Sequence, residues 1–435
     1  MKGGTVKSFL RDPIRQDVLN CVAPYVSVKN VTECVEQLYF KNLLNTYLSE
    51  FHKEKITSSH WLSTVPMNLR GNLEEVVNYL GMLIAIDFRH WGERGANDMY
   101  GETQTPVGSR VADFCGFYVT MPVGEEDAHA EKGVGVGGGR LLRGSAAMVY
   151  LLRRAVEEEG VYWHRPEVLL LRDLKEEEEK EKRRETLRYS CFLGHAGDEA
   201  ETPMWMPATH TRIGILVDIA HELQQQGDSF YGIWCRSQGY LYHPDTPSRG
   251  FLAQLIHLHP RYKDICILQR GNTNNSETII EVPVLKLAQL TALAIDDVIT
   301  HMCDSIVQSQ KYDFPIPEFG AFHDRDKLTV CCDYQIPKAL RLLGMIEYNT
   351  YLANLVDEGI LLAPGGIEET SIRVAALVAS EMLLEYLQNK MRTVQGEENR
   401  SVKWDSPMVD HLLWWIGRHH ADPSVRHHLC STIMY

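Results

Sequence analysis

Residues 328–345 have the sequence LTVCCDYQIPKALRLLGM, a short apolar run followed by an acid and then by a helical pattern. Pro337 suits the first turn of a helix, where its missing N–H would have no partner, and Ile336 and Leu340 recur at helical spacing. The segment therefore predicts a helix that begins directly after Asp333. The carboxylate of this aspartate would lie near the positive end of the helix dipole.

A carboxylate at the start of a helix has more than one use. Aspartate is a favoured helix cap, and on local sequence alone capping is the commoner role for Asp333. The same anion beside a sugar would stabilise or capture the positive charge that forms at C1′ when an N-glycosidic bond breaks. It would alternatively orient or deprotonate the attacking water. The local sequence leaves these alternatives open.

Helical periodicity also dominates the rest of the chain. Apolar residues recur three or four apart in five long segments, which predicts helices. These segments are 31–48, 73–86, 146–157, 211–225 and 284–309. Strand-like alternation is sparse, and its best candidates are 230–234 and 279–282. We therefore expect a mainly α protein with a few short strands.

Two stretches differ in composition from their surroundings. Residues 92–143 include the glycine-rich GVGVGGG at 133–139, and residues 172–203 include the charged run EEEEKEKRR at 176–184. We predict that both are surface insertions in one large domain formed by residues 1–435. The second stretch can extend a helix as a solvated charged face, because opposite charges four apart support helicity weakly, but we expect that it does not pack a core.

Two motif-like patterns are weak indicators of a site. Residues 133–138 fit GxGxxG, but the dinucleotide-binding version follows a buried strand, and residues 124–131 are too polar for one. Three close histidine pairs occur without an HExxH motif or a Cys/His set, so we predict no metal site. These pairs are His257/His259, His419/His420 and His427/His428.

The bulk composition is that of an ordinary globular protein, with 44% apolar and 23% charged residues. The sequence contains no uncharged apolar run of membrane-spanning length, its start has no secretory apolar core, and its ten cysteines are scattered. We expect a soluble cytoplasmic protein without a membrane partner. A net charge of −14 makes duplex nucleic acid a poor partner. The net charge does not argue against a single nucleotide as ligand, because one phosphate needs only one or two nearby cations.

The helix start DYQIPK at 333–338 resembles the D-Y-R-[LIV]-P-Q sequence of the queuosine salvage family. The resemblance is firmest from about residue 322 onward and includes DHLLW at 410–414. It implies a mainly helical fold similar to helix-hairpin-helix DNA glycosylases. It also implies the activity of a queuosine 5′-phosphate N-glycosylase, which releases queuine for tRNA-modification salvage without a cofactor. The family's catalytic aspartate falls on Asp333.

The segment IAIDFRHW at 84–91 resembles the family's L-N-F-x-F-W, whose aromatic and amide side chains contribute to the nucleobase pocket. The resemblance implies substrate-binding roles for Asp87, Phe88, His90 and Trp91. Flat rings offer a stacking surface to a 7-deazapurine, and a carboxylate accepts hydrogen bonds from its N–H groups. Without the resemblance, Phe88 and Trp91 are more simply core aromatics.

Three further residues complete the predicted substrate contacts. Tyr334 follows the aspartate directly. Lys338 lies just over one turn beyond it, and Arg212 is near a helix start, so either cation is a candidate for a 5′-phosphate. Arg373 also lies at a predicted helix start and is a further candidate, although we favour Lys338 and Arg212. For each of the three cations, placement on the surface is at least as good an interpretation.

Four positions depart from the family pattern. Asp87 stands where the family usually has Asn, and His90 replaces an aromatic residue. Gln335 replaces Arg, and Lys338 replaces Gln. Exchanging an amide for an acid changes the donors that the site offers, so the preferred base can differ from queuine.

Three functions follow from these observations. The leading one is hydrolysis of queuosine 5′-monophosphate or a related 7-deazaguanine nucleotide. A DNA base glycosylase acting on a flipped base is the second, and the net charge of −14 argues against it. The third is a queuine-binding or interaction protein that has lost turnover, which the altered pocket residues and the two insertions favour.

Overall fold

The computed structural model describes residues 5, 7, 10, 14–55, 60–93, 105–111, 114–121, 131–134, 140–196, 202–270, 278–309, 317–393, 404–419 and 424–435. Helices predominate in these ranges and the strands are short, so the predicted mainly α class is confirmed. No helix in the described ranges combines the length and apolar character needed to cross a bilayer.

The helices of the described residues are α1 (Ile14–Val22), α2 (Val31–Glu36), α3 (Leu38–Lys55), α4 (His60–Thr64), α5 (Leu73–Ala85), α6 (Ser145–Glu157), α7 (Pro166–Leu170), α8 (Glu177–Phe192), α9 (Thr209–Gln226), α10 (Phe230–Ser237), α11 (Phe251–Leu258), α12 (Lys286–Ser309), α13 (Gln335–Leu342), α14 (Thr350–Asp357), α15 (Ile367–Thr393) and α16 (Ser406–His419). The strands are β1 (Val26–Val28), β2 (Trp91–Glu93), β3 (Phe114–Gly116), β4 (Tyr118–Met121), β5 (Glu131–Val134), β6 (Arg140–Arg143), β7 (Leu193–Ala196), β8 (Thr202–Trp205), β9 (Ile265–Arg270), β10 (Thr278–Pro283), β11 (Ile346–Tyr348), β12 (Leu361–Leu362) and β13 (Leu429–Cys430).

The predicted helices are confirmed, with one division. The segments 73–86, 146–157, 211–225 and 284–309 correspond to α5, α6, α9 and α12, with ends shifted by at most two residues. The segment 31–48 is instead two helices, α2 and α3. They are separated at Gln37, whose backbone is extended with φ −65° and ψ 141°.

One of the two strand predictions is wrong. The segment 279–282 lies in β10, as predicted, but residues 230–234 lie in helix α10. Ser229 caps this helix, because its hydroxyl oxygen accepts a hydrogen bond from the Gly232 N–H at 3.0 Å. Phe230, Ile233 and Trp234 are buried at helical spacing, so tertiary packing and the cap outweigh the β propensity of the aromatic residues.

The two predicted insertions meet in one five-stranded sheet. Its strand order is β5-β6-β4-β7-β8, with β4, β5 and β6 from the first insertion and β7 and β8 from the second. Strands β4 and β7 pair antiparallel where Tyr118 faces His195. Residues 135–139, the rest of the glycine-rich stretch, lie outside the described residues.

The charged segment contributes to the core, contrary to prediction. Helix α8 begins with exposed acidic residues, but Leu187, Cys191 and Phe192 near its end are buried in the larger hydrophobic cluster. The charge run therefore describes only the first turns of the helix. Its last turns carry apolar residues on the face that packs inward.

Two large hydrophobic clusters organise the helices. Helices α5, α6, α9 and α12 contribute to one, and α1, α13, α15 and α16 contribute to the other. Helices α13 and α16 approach closely at Gly417, where a Cβ atom would lie 2.8 Å from the Gln335 carbonyl oxygen. Only glycine therefore fits this contact without a shift of backbone.

A buried ion pair connects α15 to the start of α12. The Arg373 guanidinium donates to both Asp264 oxygens, at 2.8 and 2.7 Å, and both residues are buried. Asp264 Oδ2 also accepts a hydrogen bond from the Lys286 backbone N–H at 3.2 Å. The pair therefore fixes the first residue of α12 as well as joining two helices.

We expect Asp264→Ala to lower the free energy of unfolding by about 3–5 kcal/mol, because it leaves Arg373 buried without this carboxylate. Urea unfolding followed by circular dichroism measures the change. Asp357→Ala is the matched control, since it removes a carboxylate from the more exposed pair with Arg341 and should cost about 1 kcal/mol or less. Equal effects of the two variants would contradict the prediction.

Candidate active site

A cavity of about 280 Å³ adjoins a smaller one of about 50 Å³. Residues from α5, α6, α12, α13 and α16 line the larger cavity. Six residues line both cavities: Asp87, Ser145, Lys286, Asp333, Trp414 and Arg418. Because they share these walls, we describe them as the larger and smaller lobes of one site, with Asp333 at their junction.

Asp333 both caps a helix and lines the site. Its Oδ1 accepts hydrogen bonds from the backbone N–H groups of Gln335 at 2.7 Å and Ile336 at 3.3 Å, at the start of α13. Its Oδ2 accepts no hydrogen bond within the described residues. Burial raises the pKa of Asp333, although the Lys286 ammonium and the two N–H groups oppose the rise. The cap therefore fixes the carboxyl group and leaves one oxygen for a ligand.

Asp87 forms a partly buried network with Lys286 and His90. The Lys286 ammonium donates to Asp87 Oδ2 at 2.9 Å and to the Asp87 carbonyl oxygen at 2.8 Å. His90 Nε2 lies 2.8 Å from Asp87 Oδ1. Burial raises the pKa of Asp87, but the lysine and the histidine lower it more, so the net shift is well below the ordinary range. Asp87 is therefore ionised, and both of its oxygens already have a protein partner.

Lys286 is a site residue that the sequence analysis missed. Its side chain is 6% exposed and lines both lobes. The sequence does mark this lysine as unusual, because it interrupts the apolar run VPVLKLA at 282–288. A charged residue in such a run is rarely buried without a partner. The partner, Asp87, is 199 residues away in sequence, and no local pattern points to it.

Arg212 holds the backbone beside Asp87. Its guanidinium is fully buried and donates to the carbonyl oxygens of Ile86, Phe88, Arg89 and Pro207. It lines neither lobe, in contrast to the predicted contact with a phosphate. In this structure Arg212 positions the loop that carries Asp87 and His90.

The two aromatic residues of this segment occupy different surroundings. Phe88 is buried, touches the smaller lobe, and has the Arg212 and Arg261 guanidiniums 4.4 and 5.0 Å from its ring centroid. Trp91 packs in a separate small cluster that includes Val111 and lines neither lobe. The structure therefore brings Phe88, but not Trp91, to the site.

Tyr334 and Lys338 also differ in placement. Tyr334 lines the smaller lobe, and burial together with the neighbouring Asp333 raises the pKa of its phenol. Lys338 is half-buried and lines neither lobe. Burial, and next the nearby Arg418, lowers the pKa of Lys338.

Helix α16 contributes several residues to the larger lobe, and three of them form a regular series that the sequence analysis did not assign to the site. Asp410, Trp414 and Arg418 are spaced four apart and line the larger lobe. This i, i+4, i+8 spacing places them on one face of the helix. The spacing of these residues is visible in the sequence, but it does not show that this face of the helix lies toward Asp333.

Asp410 is partly buried and has a shifted pKa. Its Oδ1 accepts a hydrogen bond from the Cys331 backbone N–H at 2.6 Å. Burial raises the pKa of Asp410 to about 7; the Cys331 N–H and the Lys286 ammonium oppose this rise, and the charge of Asp333 adds to it. The site thus contains an ionised Asp87 and a carboxyl group that is poised to exchange a proton near neutral pH.

The arrangement is suited to stabilising positive charge on a ligand. Asp333 presents a fixed carboxyl group at the junction of two lobes, and Trp61 and Trp414 provide flat apolar surface in the larger lobe. Lys286 and Arg418 offer cations to an anionic group. Within the described ranges, no three His, Cys, Asp or Glu side chains are placed as a metal-ligand set.

Fold and site together define a mainly helical protein with a cavity built around partly buried carboxyl groups. Residues 310–435 match the family model described as queuosine salvage protein. The match includes Asp333 and the three site residues of α16. The resemblance to the queuosine salvage family is therefore confirmed, on the part of the chain where it was firmest.

Curated relatives match over a similar length. A queuosine 5′-phosphate N-glycosylase/hydrolase of Mus musculus is 28% identical over 103 residues, which are 24% of this chain and 30% of that protein. The protein of the same name from Bos taurus is 30% identical over 107 residues, with the same coverage of both chains. The one from Sphaerobacter thermophilus is 29% identical over 118 residues, 27% of this chain and 33% of that protein. The chain thus spans about a third of the length of the curated relatives it matches.

We expect Asp410→Asn to stabilise the protein more at pH 7 than at pH 5. Because the fold raises the pKa of Asp410 to about 7, the native state holds more protons than the unfolded chain between about pH 4 and pH 7. Stability from this group is therefore lost as the pH rises, and the amide avoids the loss. The difference from the parent should grow by up to about 1.4 kcal/mol per pH unit.

Urea unfolding at both pH values, at constant ionic strength, measures this difference. The asparagine oxygen can still accept the Cys331 N–H, so the fold should be retained. Asp357→Asn is the control for removing an exposed carboxylate. A stability difference between Asp410→Asn and the parent that is equal at the two pH values would refute the assignment.

Proposed function

We propose that this protein hydrolyses the N-glycosidic bond of queuosine 5′-phosphate, or of a related 7-deazaguanine nucleotide, to release the base. The observation that carries the proposal is the position of Asp333. This carboxyl group is fixed by a helix cap at the junction of the two lobes. A nucleotide that spans the junction would place C1′ of its ribose beside this group.

The two lobes differ in a way that suits the two halves of a nucleotide. The larger lobe has apolar walls and the rings of Trp61 and Trp414, which suit a base. The smaller lobe has mainly polar walls, including Ser145 at the start of α6, Lys286 and Arg418. A helix start with nearby cations suits a ribose phosphate.

Breaking the C1′–N bond leaves its electron pair on the base and positive charge on the ribose. The Asp333 carboxylate would stabilise that charge or bond to C1′, and water would then complete the hydrolysis. The names of the curated relatives support this reaction. Asp87 and His90 stand where the family has other residues. Asp87 lines both lobes and its carboxylate would repel a phosphate, whereas His90 lines only the smaller lobe. We therefore assign His90, and the Lys286 ammonium that Asp87 holds in place, to the ribose phosphate.

Incubation with queuosine, its 5′- and 3′-phosphates and ordinary purine nucleotides tests the proposal, with released base measured by chromatography. We expect release from queuosine 5′-phosphate at least tenfold faster than from the others, since the cations of the smaller lobe favour a 5′-phosphate. Absence of base release from every compound would sink the proposal.

Asp333→Asn should lower kcat at least about 100-fold, because it removes the negative charge that faces C1′. Its amide oxygen can still cap α13, so the unfolding transition should remain close to that of the parent. Asp357→Asn, which lies outside both lobes, should keep parent activity. Full activity of Asp333→Asn would contradict the assigned role.

A further inference from the structure

Asp410 stands apart from Asp333 in position and in bonding. It lines the larger lobe only, whereas Asp333 lines both. Its Oδ1 is held by the Cys331 N–H, and within the described residues its Oδ2 accepts no hydrogen bond. A partly buried carboxyl group that lines a cavity and has only one oxygen anchored is placed to act on a ligand.

The larger lobe is also where the proposed function places the base. We propose that Asp410 is a second catalytic residue, the general acid that protonates the departing base. This inference rests on the proposed function and adds the group that activates the leaving base. It gives the two carboxyl groups different tasks, one at C1′ and one at the base.

The charged surroundings of Asp410 fit an acid that works near neutral pH. Asp333 disfavours a second negative charge nearby, and the Lys286 ammonium favours it, while the Cys331 N–H stabilises an ionised Oδ1. Burial exceeds the two stabilising contacts, and the pKa of Asp410 rises to about 7. A substantial protonated fraction is therefore present under physiological conditions.

Asp410 gives up one proton and regains one in each catalytic cycle. The O–H of Asp410 gives its proton to a nitrogen of the base as the C1′–N bond breaks and its electron pair moves to the base. Water then bonds to C1′; if a C1′–Asp333 bond has formed, it breaks in this step and its electron pair returns to the Asp333 carboxylate. The proton that the water loses returns to Asp410. The products are the free base and ribose 5-phosphate, with no other reactant required.

A comparison of leaving groups separates this role from a structural one. We would measure kcat/KM for queuosine 5′-phosphate and for 4-nitrophenyl β-ribofuranoside 5-phosphate, whose nitrophenolate departs without protonation. Asp410→Asn should lose about 100-fold or more on the nucleotide and less than about fivefold on the nitrophenyl compound. Asp333→Asn should lose activity on both, and Asp357→Asn on neither.

The pH profile gives a second readout. The parent should lose kcat/KM on the nucleotide as the pH rises above about 7, as the acid ionises, and the residual activity of Asp410→Asn should lack that decline. Equal losses of Asp410→Asn on both substrates, or an unchanged alkaline limb, would overturn the role of Asp410 alone. A parent that cleaves neither compound would overturn the proposed function, and this role with it.

Discussion

The ion pair between Lys286 and Asp87 sets the electrostatics of the site. An isolated buried charge is unstable, so the ammonium is held in place by two oxygens of one aspartate. The same ammonium lies near Asp333 and Asp410 and lowers the pKa of each, without bonding to either. Burial exceeds the effect of Lys286 on the pKa of those two carboxyl groups, whereas at Asp87 the lysine and His90 together outweigh burial. Lys286, with His90 acting at Asp87 only, thereby gives one ionised anchor and two carboxyl groups with raised pKa values.

The pair of Lys286 and Asp87 depends on non-helical backbone conformations next to both residues. Arg89, two residues after Asp87, has φ +36°, and Leu285, directly before Lys286, has φ +49°. Such left-handed conformations are unfavourable for residues with a side chain and persist where the surroundings impose them. Hydrogen bonds hold both of these conformations. Arg212 donates to the Arg89 carbonyl oxygen, and the Leu285 N–H donates to the Asp264 carbonyl oxygen at 2.9 Å. The buried residues behind the site therefore determine its geometry as much as the residues that line it.

The sequence predicted what depends on local spacing. Apolar periodicity located α5, α6, α9 and α12, and the combination of an acid with a following proline located Asp333 at the start of α13. The partner of Lys286 and the inward turn of α16 depend on contacts between distant segments, which periodicity does not contain. Trp91 shows the same limit, because nothing local distinguishes a tryptophan in a small separate cluster from one that lines the neighbouring cavity. Arg212 was noticed as a cation, but its partners are carbonyl oxygens, whose positions only the fold defines.

The sheet formed by the two insertions is part of the construction of the site. Strand β6 leads through Gly144 into α6, and a Cβ atom at Gly144 would lie 3.5 Å from Arg418 Nη1 and 3.6 Å from the His90 Cβ. Gly144 has φ +61°, which a residue with a side chain rarely adopts, so the turn that delivers Ser145 to both lobes requires glycine. The Arg143 carbonyl of β6 accepts a hydrogen bond from Arg418 Nη2 at 3.1 Å. The sheet thus anchors the guanidinium that lines both lobes.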